Sequence, residues 1–450
     1  MKKIITYGTF DLLHRGHINL LRRAKALGDY LIVGVTSDNY DRSRGKLNVV
    51  QSLEERMEAV RKSGFADEVI VEEMEGQKIR DIEKYGVDVF VLGSDWEGKF
   101  DYLREYCEVV YLERTKGISS TELRAGMQDV TNLGVVGCGR IAGRFITESR
   151  FISAVEISCV YGRDANRAQA FADKYQIPES TTDFGHFLQQ VDAVYVAVPH
   201  HLHHRFVKQA LQAGKHVLCE KPMVLTLREA EELFALAEEK GVVLMEAFKT
   251  AYAPAFRQLL AVAGSGAIGA IKAVDASFTK LIADHGCREY DPVQAGGALT
   301  ELGSYPLLAI SQLLGQEPQE IRFTTACCKE GVDILTRVGM TYPHAIASGT
   351  VGIGMKREGD LCIAGTNGYI YVPAPWWKTQ EFEVRYEDTR RNQKHFYRFE
   401  GDGLRYELAA FVDFLHGRSL PHLAAMKRHS LFLSAVIEQF RTGNNTTRIL

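Results

Sequence analysis

The chain has 450 residues, of which 46% are hydrophobic and 25% charged, and its formal net charge is −3. This composition is typical of a globular protein with several domains, and the balanced charge gives no electrostatic reason to expect nucleic acid or an acidic membrane surface as a partner. No apolar run approaches the roughly 18 residues that span a bilayer, and none of the eight cysteines stands in a Cys-x-x-Cys spacing. We therefore predict a cytoplasmic protein with reduced thiols and small-molecule substrates, with neither nucleic-acid binding nor membrane insertion.

The first 126 residues alternate short apolar segments with helical patterns, and this alternation predicts a parallel sheet built from strand–helix–strand units. The predicted strands are 3–6, 30–36, 68–71, 87–92 and 108–112. A predicted helix over 119–125 ends at Gly126. We therefore predict a first domain over 1–126, followed by a linker over 127–131.

A second alternating series predicts another doubly wound sheet, and a β-rich region follows it. The second domain, 132–252, has predicted strands at 132–136, 156–161, 193–197, 216–219 and 242–246. The third, 253–450, has predicted strands at 270–278, 320–327, 334–342, 347–354 and 369–372 and closing helices at 404–416 and 427–442. The predicted fold class is α/β, with two Rossmann-like parallel-sheet domains followed by an α+β domain with a largely antiparallel open sheet.

The segment after the first predicted strand is the most informative one in the chain. A turn begins at Gly8, and His14 and His17 stand where the next helix is predicted to begin. A helix N-terminus offers unpaired N–H groups and the positive end of the helix dipole to an anion. Two imidazoles beside such a site indicate the phosphates of a nucleotide.

The spacing His14-x-Gly16-His17 resembles the HxGH signature of the nucleotidyltransferase superfamily. Residues 6–13, 86–101, 107–112 and 114–121 extend the likeness and resemble the glycerol-3-phosphate cytidylyltransferase family. The resemblance covers nearly all of 1–126 and implies transfer of a cytidylyl group from CTP, with Mg²⁺, to a polyol phosphate. Glycerol 3-phosphate is the acceptor it favours, and a ribitol, erythritol or 2-linked glycerol phosphate stays open.

The chemistry of this transfer gives the predicted residues their roles. His14, His17 and Lys46 are the candidate catalytic residues, and Asp11 is a candidate Mg²⁺ ligand. Arg44 stands where relatives usually carry lysine and keeps the positive charge. Trp96 is either a contact for the base or a packed aromatic side chain. The residues predicted to bind CTP are Thr9, Phe10, His14, His17, Asp95, Arg114, Ile118, Ser119 and Ser120.

A second nucleotide motif, Gly137-x-Gly139-x-x-Ala142, follows the strand at 132–136 and opens a helix. In a Rossmann fold such a turn lets the backbone approach a pyrophosphate. The next strand ends at Tyr161 without a carboxylate at its tip, and Arg163 can hold a 2′-phosphate. The pattern predicts NADP or NAD as cofactor, with NADP favoured.

The motif Glu220-Lys221-Pro222, together with the Rossmann turn, resembles the Gfo/Idh/MocA oxidoreductase family. The resemblance covers about 130–450 and places Lys221 beside the nicotinamide and the substrate hydroxyl. Many members carry Asp and then His four residues later, where this chain has Glu301 and Tyr305. The implied cofactor-binding residues are Gly137, Gly139, Arg140, Ile141, Ala142, Arg163, Pro199, His203, Glu220 and Lys221.

The expected mechanism uses Tyr305 as the group that exchanges a proton with the substrate oxygen. A tyrosine has an ordinary pKa of about 10, and we expect the Lys221 ammonium to favour the phenolate. Their four-residue spacing predicts that Glu301 and Tyr305 share one face of a helix. Glu301 is a candidate substrate contact.

Two further patterns bear on ligands. His200, His201, His203 and His204 form a histidine-rich turn, but no cysteine or carboxylate stands nearby in a zinc-ligand pattern, so we do not predict a metal there. Lys249 appears close to Ala251, which occupies the position of a common family arginine. Together with Lys280 and Arg288, Lys249 predicts an anionic substrate.

The sequence therefore predicts a bifunctional enzyme. One part makes a CDP-polyol and pyrophosphate, and the other interconverts an alcohol and a carbonyl group of a sugar or sugar phosphate with NAD(P). The oxidoreductase can supply the polyol phosphate, or it can act on an unrelated sugar. A non-catalytic nucleotide-sensing role for one half is a third reading. The open sheet at the C-terminus predicts a homodimer.

Overall fold

The computed structural model describes residues 1–13, 15–43, 49, 51–74, 76–113 and 130–449. Residues 1–134 and 146–191 form one compact unit, and residues 135–145 and 192–450 form another. Among the described residues, no helix is both long enough and apolar enough to cross a membrane.

The first sheet has five parallel strands in the order β3-β2-β1-β4-β5. Adjacent residues Ile4 and Ile5 are both fully buried, because they face opposite sides of a sheet that is covered on both faces. The order reverses between β1 and β4, and ligands of such sheets bind at the carboxyl ends of the strands at that point. The elements are β1 (Lys3–Gly8), α1 (Arg15–Lys25), β2 (Tyr30–Thr36), α2 (Asp38–Ser43), α3 (Leu53–Lys62), β3 (Glu68–Glu72), α4 (Gln77–Tyr85), β4 (Val89–Gly93) and β5 (Glu108–Leu112), with a 3₁₀ helix at Ser94–Trp96.

The second sheet has six strands in the order β11-β10-β9-β6-β7-β8. The strands β9, β10 and β11 pair in parallel, as do β7 and β8. This is the doubly wound order, with its reversal between β6 and β9. The elements are β6 (Thr131–Val136), α5 (Arg140–Ser149), β7 (Val155–Tyr161), α6 (Ala165–Tyr175), β8 (Glu179–Thr181), α7 (Phe184–Gln189), β9 (Ala193–Val196), α8 (His203–Gln212), β10 (His216–Cys219), α9 (Leu227–Lys240) and β11 (Leu244–Glu246), with a 3₁₀ helix at His200–Leu202.

The third sheet has nine strands in the order β19-β18-β17-β16-β12-β15-β14-β13-β20. Most neighbours are antiparallel, and the pairs β12–β15 and β13–β20 are parallel. Its strands are β12 (Ile271–Thr279), β13 (Glu320–Cys327), β14 (Asp333–Thr341), β15 (Ile346–Gly352), β16 (Leu361–Gly365), β17 (Tyr369–Val372), β18 (Glu381–Arg385), β19 (Gln393–Phe396) and β20 (Thr446–Ile449). The helices of this region are α10 (Lys249–Tyr252), α11 (Pro254–Gly264), α12 (Ala298–Leu302), α13 (Ser304–Leu314), α14 (Leu404–Leu415) and α15 (Leu420–Arg441).

The predicted fold class is confirmed, and the main difference in element bounds lies in the last helix. We predicted it over 427–442, but α15 begins at Leu420. Pro421 occupies the first turn of that helix, where its missing N–H would have no helical partner in any case. Pro421 is therefore part of the start of this helix.

Candidate functional sites

The turn after β1 lies at the point where the order of the first sheet reverses. Phe10 and Leu12 adopt positive φ angles of 51° and 47°. Residues other than glycine rarely adopt this left-handed backbone conformation, so contacts with surrounding residues must hold the turn. Gln51 holds it from two directions, because its side-chain oxygen accepts from the Leu12 N–H at 2.7 Å and its own N–H donates to Asp11 Oδ1 at 2.9 Å.

A fully buried arginine, Arg56 on α3, also holds this turn. One terminal nitrogen donates to the carbonyl oxygens of Thr9 and Thr36, each at 2.8 Å. The same nitrogen lies 3.6 Å from Asp41 Oδ2, and the other terminal nitrogen pairs with Asp38. Asp41 in turn accepts from the Thr9 and Thr36 hydroxyls at 3.0 and 2.7 Å. This network fixes the carboxyl ends of β1 and β2.

His17 is the third residue of α1, as the predicted position at a helix N-terminus requires. Its ring is half-buried and meets the Phe10 ring edge-on, with 5.4 Å between centroids. Phe10 itself is 1% exposed and belongs to the core under the sheet, so its side chain forms the floor of the turn. Thr9 and Asp11 are each 5% exposed, and both side chains have hydrogen-bond partners within the protein.

The other residues predicted for the cytidylyltransferase site fall into two groups. His14, Lys46, Arg114, Ile118, Ser119 and Ser120 lie outside the described residues, as does the predicted helix over 119–125. The backbone of Asp95 belongs to the 3₁₀ helix Ser94–Trp96 after β4, across the reversal point from the turn, and its side chain is not described. The Trp96 ring packs beside Phe100 at 6.0 Å, and the Lys99 ammonium lies 4.8 Å from its centroid.

The glycine turn after β6 has the shape that a dinucleotide requires. Gly137 has a φ of +114°, and a Cβ atom there would lie 2.6 Å from the Ala197 carbonyl oxygen. A Cβ at Gly139 would meet nothing within 4 Å, which leaves the backbone open to a pyrophosphate. Arg140 begins α5, and Ala142 is fully buried behind the turn. These residues fit NAD(P) at the positive end of the α5 dipole.

Lys221 follows β10 and reaches the start of the α12–α13 segment. Its ammonium donates to the Glu301 carbonyl oxygen at 2.9 Å and lies 5.2 Å from the centre of the Tyr305 ring. The Glu301 side chain is held by the Arg288 guanidinium through contacts of 3.0 and 2.9 Å. We predicted that Glu301 and Tyr305 share one face of a helix, and this prediction is wrong. Glu301 lies in α12 and Tyr305 in α13, and the two helices meet at Gly303.

Tyr305 does not have the lowered pKa that we expected the Lys221 ammonium to produce. Burial raises the pKa of Tyr305 above its ordinary value, and the Glu220 and Glu407 carboxylates raise it further. Phe278 meets the Tyr305 ring edge-on at 4.9 Å and stacks on Trp377, so aromatic side chains surround the ring. Tyr305 is therefore protonated and poised to donate.

The histidine-rich turn supplies supporting contacts to several different partners. His203 is fully buried, and its two ring nitrogens lie 2.9 and 2.8 Å from the Pro222 and Val198 carbonyl oxygens. His203 therefore joins the ends of β9 and β10 at the Lys221-Pro222 turn. His200, which follows Pro199, lies 3.6 Å from Glu301, and burial lowers its pKa well below the ordinary value. No group of three or more potential ligands that could hold a metal occurs among the described residues.

The remaining predicted residues are not all at one place. Lys249 lines a small cavity together with Lys221, Thr250, Ser304 and Tyr305. Burial lowers the pKa of Lys249, and the Glu407 carboxylate opposes that effect. Arg288 is paired with Glu301, and Lys280 is an exposed residue just after β12. The three cations therefore have different surroundings, and their role in binding an anionic substrate stays a prediction.

Glu220 and Arg163 lie at the ends of their strands. The Glu220 carboxylate accepts from the fully buried Tyr195 hydroxyl at 2.6 Å. Arg163 is exposed and follows β7, directly before Asp164, which caps α6.

Comparison with known proteins separates the two parts of the chain. The cytidylyltransferase-like family model matches residues 5–126. A glycerol-3-phosphate cytidylyltransferase of Bacillus spizizenii is 53% identical over 127 residues, which are 28% of this chain and 98% of that protein. Models for the NAD-binding Rossmann fold of the oxidoreductase family and for the GFO/IDH/MocA C-terminal domain match 131–248 and 256–371.

Relatives along the second part are oxidoreductases. A bovine (Bos taurus) trans-1,2-dihydrobenzene-1,2-diol dehydrogenase is 33% identical over 285 residues, which cover 61% of this chain and 85% of that protein. The chain belongs to the cytidylyltransferase-like family and to the Gfo/Idh/MocA oxidoreductase family. The structure of a 3-ketoreductase from Actinomadura kijaniata in complex with NADP and TDP-benzene covers 71% of this chain and 100% of its own, with 26% identity and a TM-score of 0.65.

Membership in the cytidylyltransferase-like and Gfo/Idh/MocA families makes the protein a nucleotidyltransferase and an NAD(P)-dependent oxidoreductase.

Two residues that support these sites, Arg56 and Glu246, were not predicted from the sequence. Arg56 gave no signal, because an arginine within a helix is usually solvated. Glu246 could have been found, because it is a carboxylate at the carboxyl end of a predicted parallel strand.

Glu246 holds the turn that carries Lys221. It is 4% exposed, and its Oε1 accepts from the Met223 N–H at 2.9 Å. Burial raises the pKa of Glu246 from 4.5 to about 7. The oxidoreductase part therefore contains an acid that is partly protonated near neutral pH.

We expect Arg56→Ala to destabilise the cytidylyltransferase part by about 3–5 kcal/mol, because Asp41 would keep a buried charge without its cation. The urea midpoint for the loss of pyrophosphate release reports this change. Arg61→Ala is the matched control on the same helix. Arg61 is half exposed and pairs with Glu58, so its loss should cost less than about 1 kcal/mol. Equal midpoints for the two variants would contradict the buried network.

We expect wild-type stability to fall relative to Glu246→Gln as pH rises from about 4.5 to about 7. The folded pKa lies above the unfolded one, so the folded state binds more protons in this range and loses stability as pH increases. A shift of this size corresponds to about 3 kcal/mol. Urea unfolding of both proteins at several pH values measures it. Glu239→Gln, on an exposed side chain, should show no such trend, and a parallel pH dependence of wild type and Glu246→Gln would refute the assignment.

Proposed function

We propose that the N-terminal part transfers the cytidylyl group of CTP to glycerol 3-phosphate and releases CDP-glycerol and pyrophosphate. The carrying observation is the 53% identity along 98% of a glycerol-3-phosphate cytidylyltransferase. A phosphate oxygen of the acceptor attacks the α-phosphorus of CTP, and the bond to the β-phosphate oxygen breaks as pyrophosphate leaves. Such a reaction depends on positioning and charge stabilisation more than on covalent chemistry.

The turn after β1 supplies both the positioning and the charge stabilisation that this reaction needs. The His17 imidazole, at the N-terminal turn of α1, donates to a phosphate oxygen as charge develops there. The Arg56 and Gln51 contacts keep the turn rigid, so little reorganisation is needed during the reaction. Mg²⁺ bound with CTP would neutralise charge on its phosphates. His14, Lys46, Arg114 and the 118–120 segment complete the proposed phosphate contacts.

We infer that the second part interconverts a hydroxyl and a carbonyl group of a small polyol. In the reductive direction the protonated Tyr305 gives its proton to the substrate oxygen, and the Lys221 ammonium stabilises negative charge on that oxygen. The nicotinamide, when bound, supplies or accepts the hydride. Exposed Arg163 and the NADP in the related 3-ketoreductase favour NADP over NAD.

The substrate carries hydroxyl groups on neighbouring carbons. The bovine relative is named for a trans-1,2-diol, which favours such a substrate. The two activities are then consecutive, with the oxidoreductase supplying the polyol phosphate that is activated. The TDP-benzene in the 3-ketoreductase complex favours a second order, in which the CDP-linked product is the redox substrate.

One experiment tests the acceptor and the order. Pyrophosphate release is measured with CTP and Mg²⁺, using glycerol 3-phosphate, glycerol 2-phosphate, ribitol 5-phosphate or erythritol 4-phosphate. Parallel samples contain NADPH and dihydroxyacetone phosphate or glyceraldehyde 3-phosphate in place of the polyol phosphate. Release with glycerol 3-phosphate alone supports the first activity, and release from a carbonyl phosphate only when NADPH is present supports reduction first. Reduction of NADP⁺ to NADPH that requires preformed CDP-polyol would establish the second order.

The third sheet supports a homodimer. Ile346 and Phe396 lie on its strands with 62% and 66% of their surfaces exposed, and exposed apolar residues of this kind favour association. Light scattering should give twice the 50.4 kDa chain mass, and a mass of one chain would contradict the dimer.

A further inference from the structure

Ser304 has a buried hydroxyl without a partner, next to the proposed proton donor. It is the first residue of α13 and is 2% exposed. Within the described part of the chain, its Oγ has no hydrogen-bond partner. The residue lines the small cavity with Lys221, Lys249 and Tyr305.

Neighbouring buried hydroxyls are satisfied in the ordinary way. Thr250, also on the cavity, donates to the Trp377 carbonyl oxygen at 2.9 Å. Ser311, two turns further along α13 and 1% exposed, donates to the Leu308 carbonyl oxygen at 3.0 Å and lies 2.9 Å from His429 Nδ1. Native proteins pair most buried polar groups, so an unpaired one that lines a cavity indicates a ligand contact.

The chemistry of Ser304 differs from that of the cations beside it. A serine hydroxyl both donates and accepts, so it matches another hydroxyl, whereas the Lys221 and Lys249 ammonium groups only donate. Ser304 precedes Tyr305 directly in the same helix turn. Because Lys221, Ser304 and Tyr305 line one cavity, a substrate whose reacting oxygen meets Tyr305 and Lys221 there has its neighbouring groups within the same lining.

We propose that Ser304 binds the hydroxyl group on the carbon next to the reacting carbon and so selects polyols over simple alcohols. The proposal rests on the proposed hydride transfer at Lys221 and Tyr305. Ser304 is a binding residue that sets specificity, and Tyr305 keeps the proton-transfer role.

The test compares Ser304→Ala with wild type on matched carbonyl pairs, with NADPH as reductant. 2-Hydroxypropanal is paired with propanal, and hydroxyacetone with acetone, so that the two members of each pair differ only at the neighbouring hydroxyl. We expect the kcat/KM ratio for the hydroxylated over the plain substrate to fall about tenfold in the variant, mainly through KM. The melting temperature should stay equal or rise, because an unpaired buried hydroxyl is removed.

Ser311→Ala is the matched control from the same helix. It breaks paired hydrogen bonds, so it should lower the melting temperature and keep the wild-type ratio. An unchanged ratio in Ser304→Ala would overturn the role of Ser304, as would a lowered melting temperature with equal losses on all substrates. Wild-type turnover of none of the four carbonyls would instead overturn the proposed polyol substrate, and the proposal for Ser304 with it.

Discussion

Replacing Lys221 by alanine is expected to lower the kcat of hydride transfer by about a hundredfold or more and to leave pyrophosphate release unchanged. The ammonium is held at 2.9 Å by the Glu301 carbonyl oxygen and lies 5.2 Å from the Tyr305 ring centre. Its loss removes the positive charge that stabilises the developing alkoxide, an effect of about 10²–10³ in comparable sites. NADPH oxidation and pyrophosphate release, measured on the same preparation, provide the two readings.

Lys208→Ala is the control for this variant. Lys208 is a partly exposed lysine of α8 that pairs with Glu232, and its loss should change neither reaction. Full hydride transfer by Lys221→Ala would remove Lys221 from the mechanism. Loss of both activities in a folded protein would contradict separate sites.

Replacing His17 by alanine is expected to have the opposite effect. Pyrophosphate release should fall by about a hundredfold or more, because a donor to the transition-state phosphate is lost. NADPH oxidation should keep its wild-type rate. The Phe10 ring, which meets His17 edge-on, stays in the core, so the turn should persist and the melting temperature should change little.

His186→Ala provides the matched control, since His186 is an exposed histidine of α7 beside Glu179. This variant should retain both reactions. Wild-type pyrophosphate release by His17→Ala would show that the turn after β1 is not the cytidylyltransferase site.

Local sequence patterns predicted much of the fold. Strands such as β2, β5 and β13 lie where the apolar periods placed them, since buried parallel strands and alternating antiparallel strands leave strong signals. The break at Gly303 was missed, because the Glu301–Tyr305 spacing fits one helix as well as two. A four-residue spacing is compatible with one turn of helix, but it does not show whether the helix continues without a break.

The parts of the sites that were missed depend on tertiary contacts. Arg56 reaches from α3 to the turn after β1, across 47 residues of sequence. The direction of the Tyr305 pKa shift depends on burial and on Glu220 and Glu407, which lie far from Tyr305 in the chain. The spacing of residues in the sequence does not give the path of a long side chain, and it does not give the combined effect of burial and nearby charges on a pKa.

A phosphorus NMR spectrum of the intact chain with CTP, Mg²⁺ and glycerol 3-phosphate tests the proposed cytidylyl transfer most directly. We expect the CTP and glycerol 3-phosphate signals to decrease together while equal amounts of CDP-glycerol and pyrophosphate appear, and His17→Ala to prevent this. Persistence of both substrates with the wild-type chain, or hydrolysis of CTP without a CDP-linked product, would contradict it.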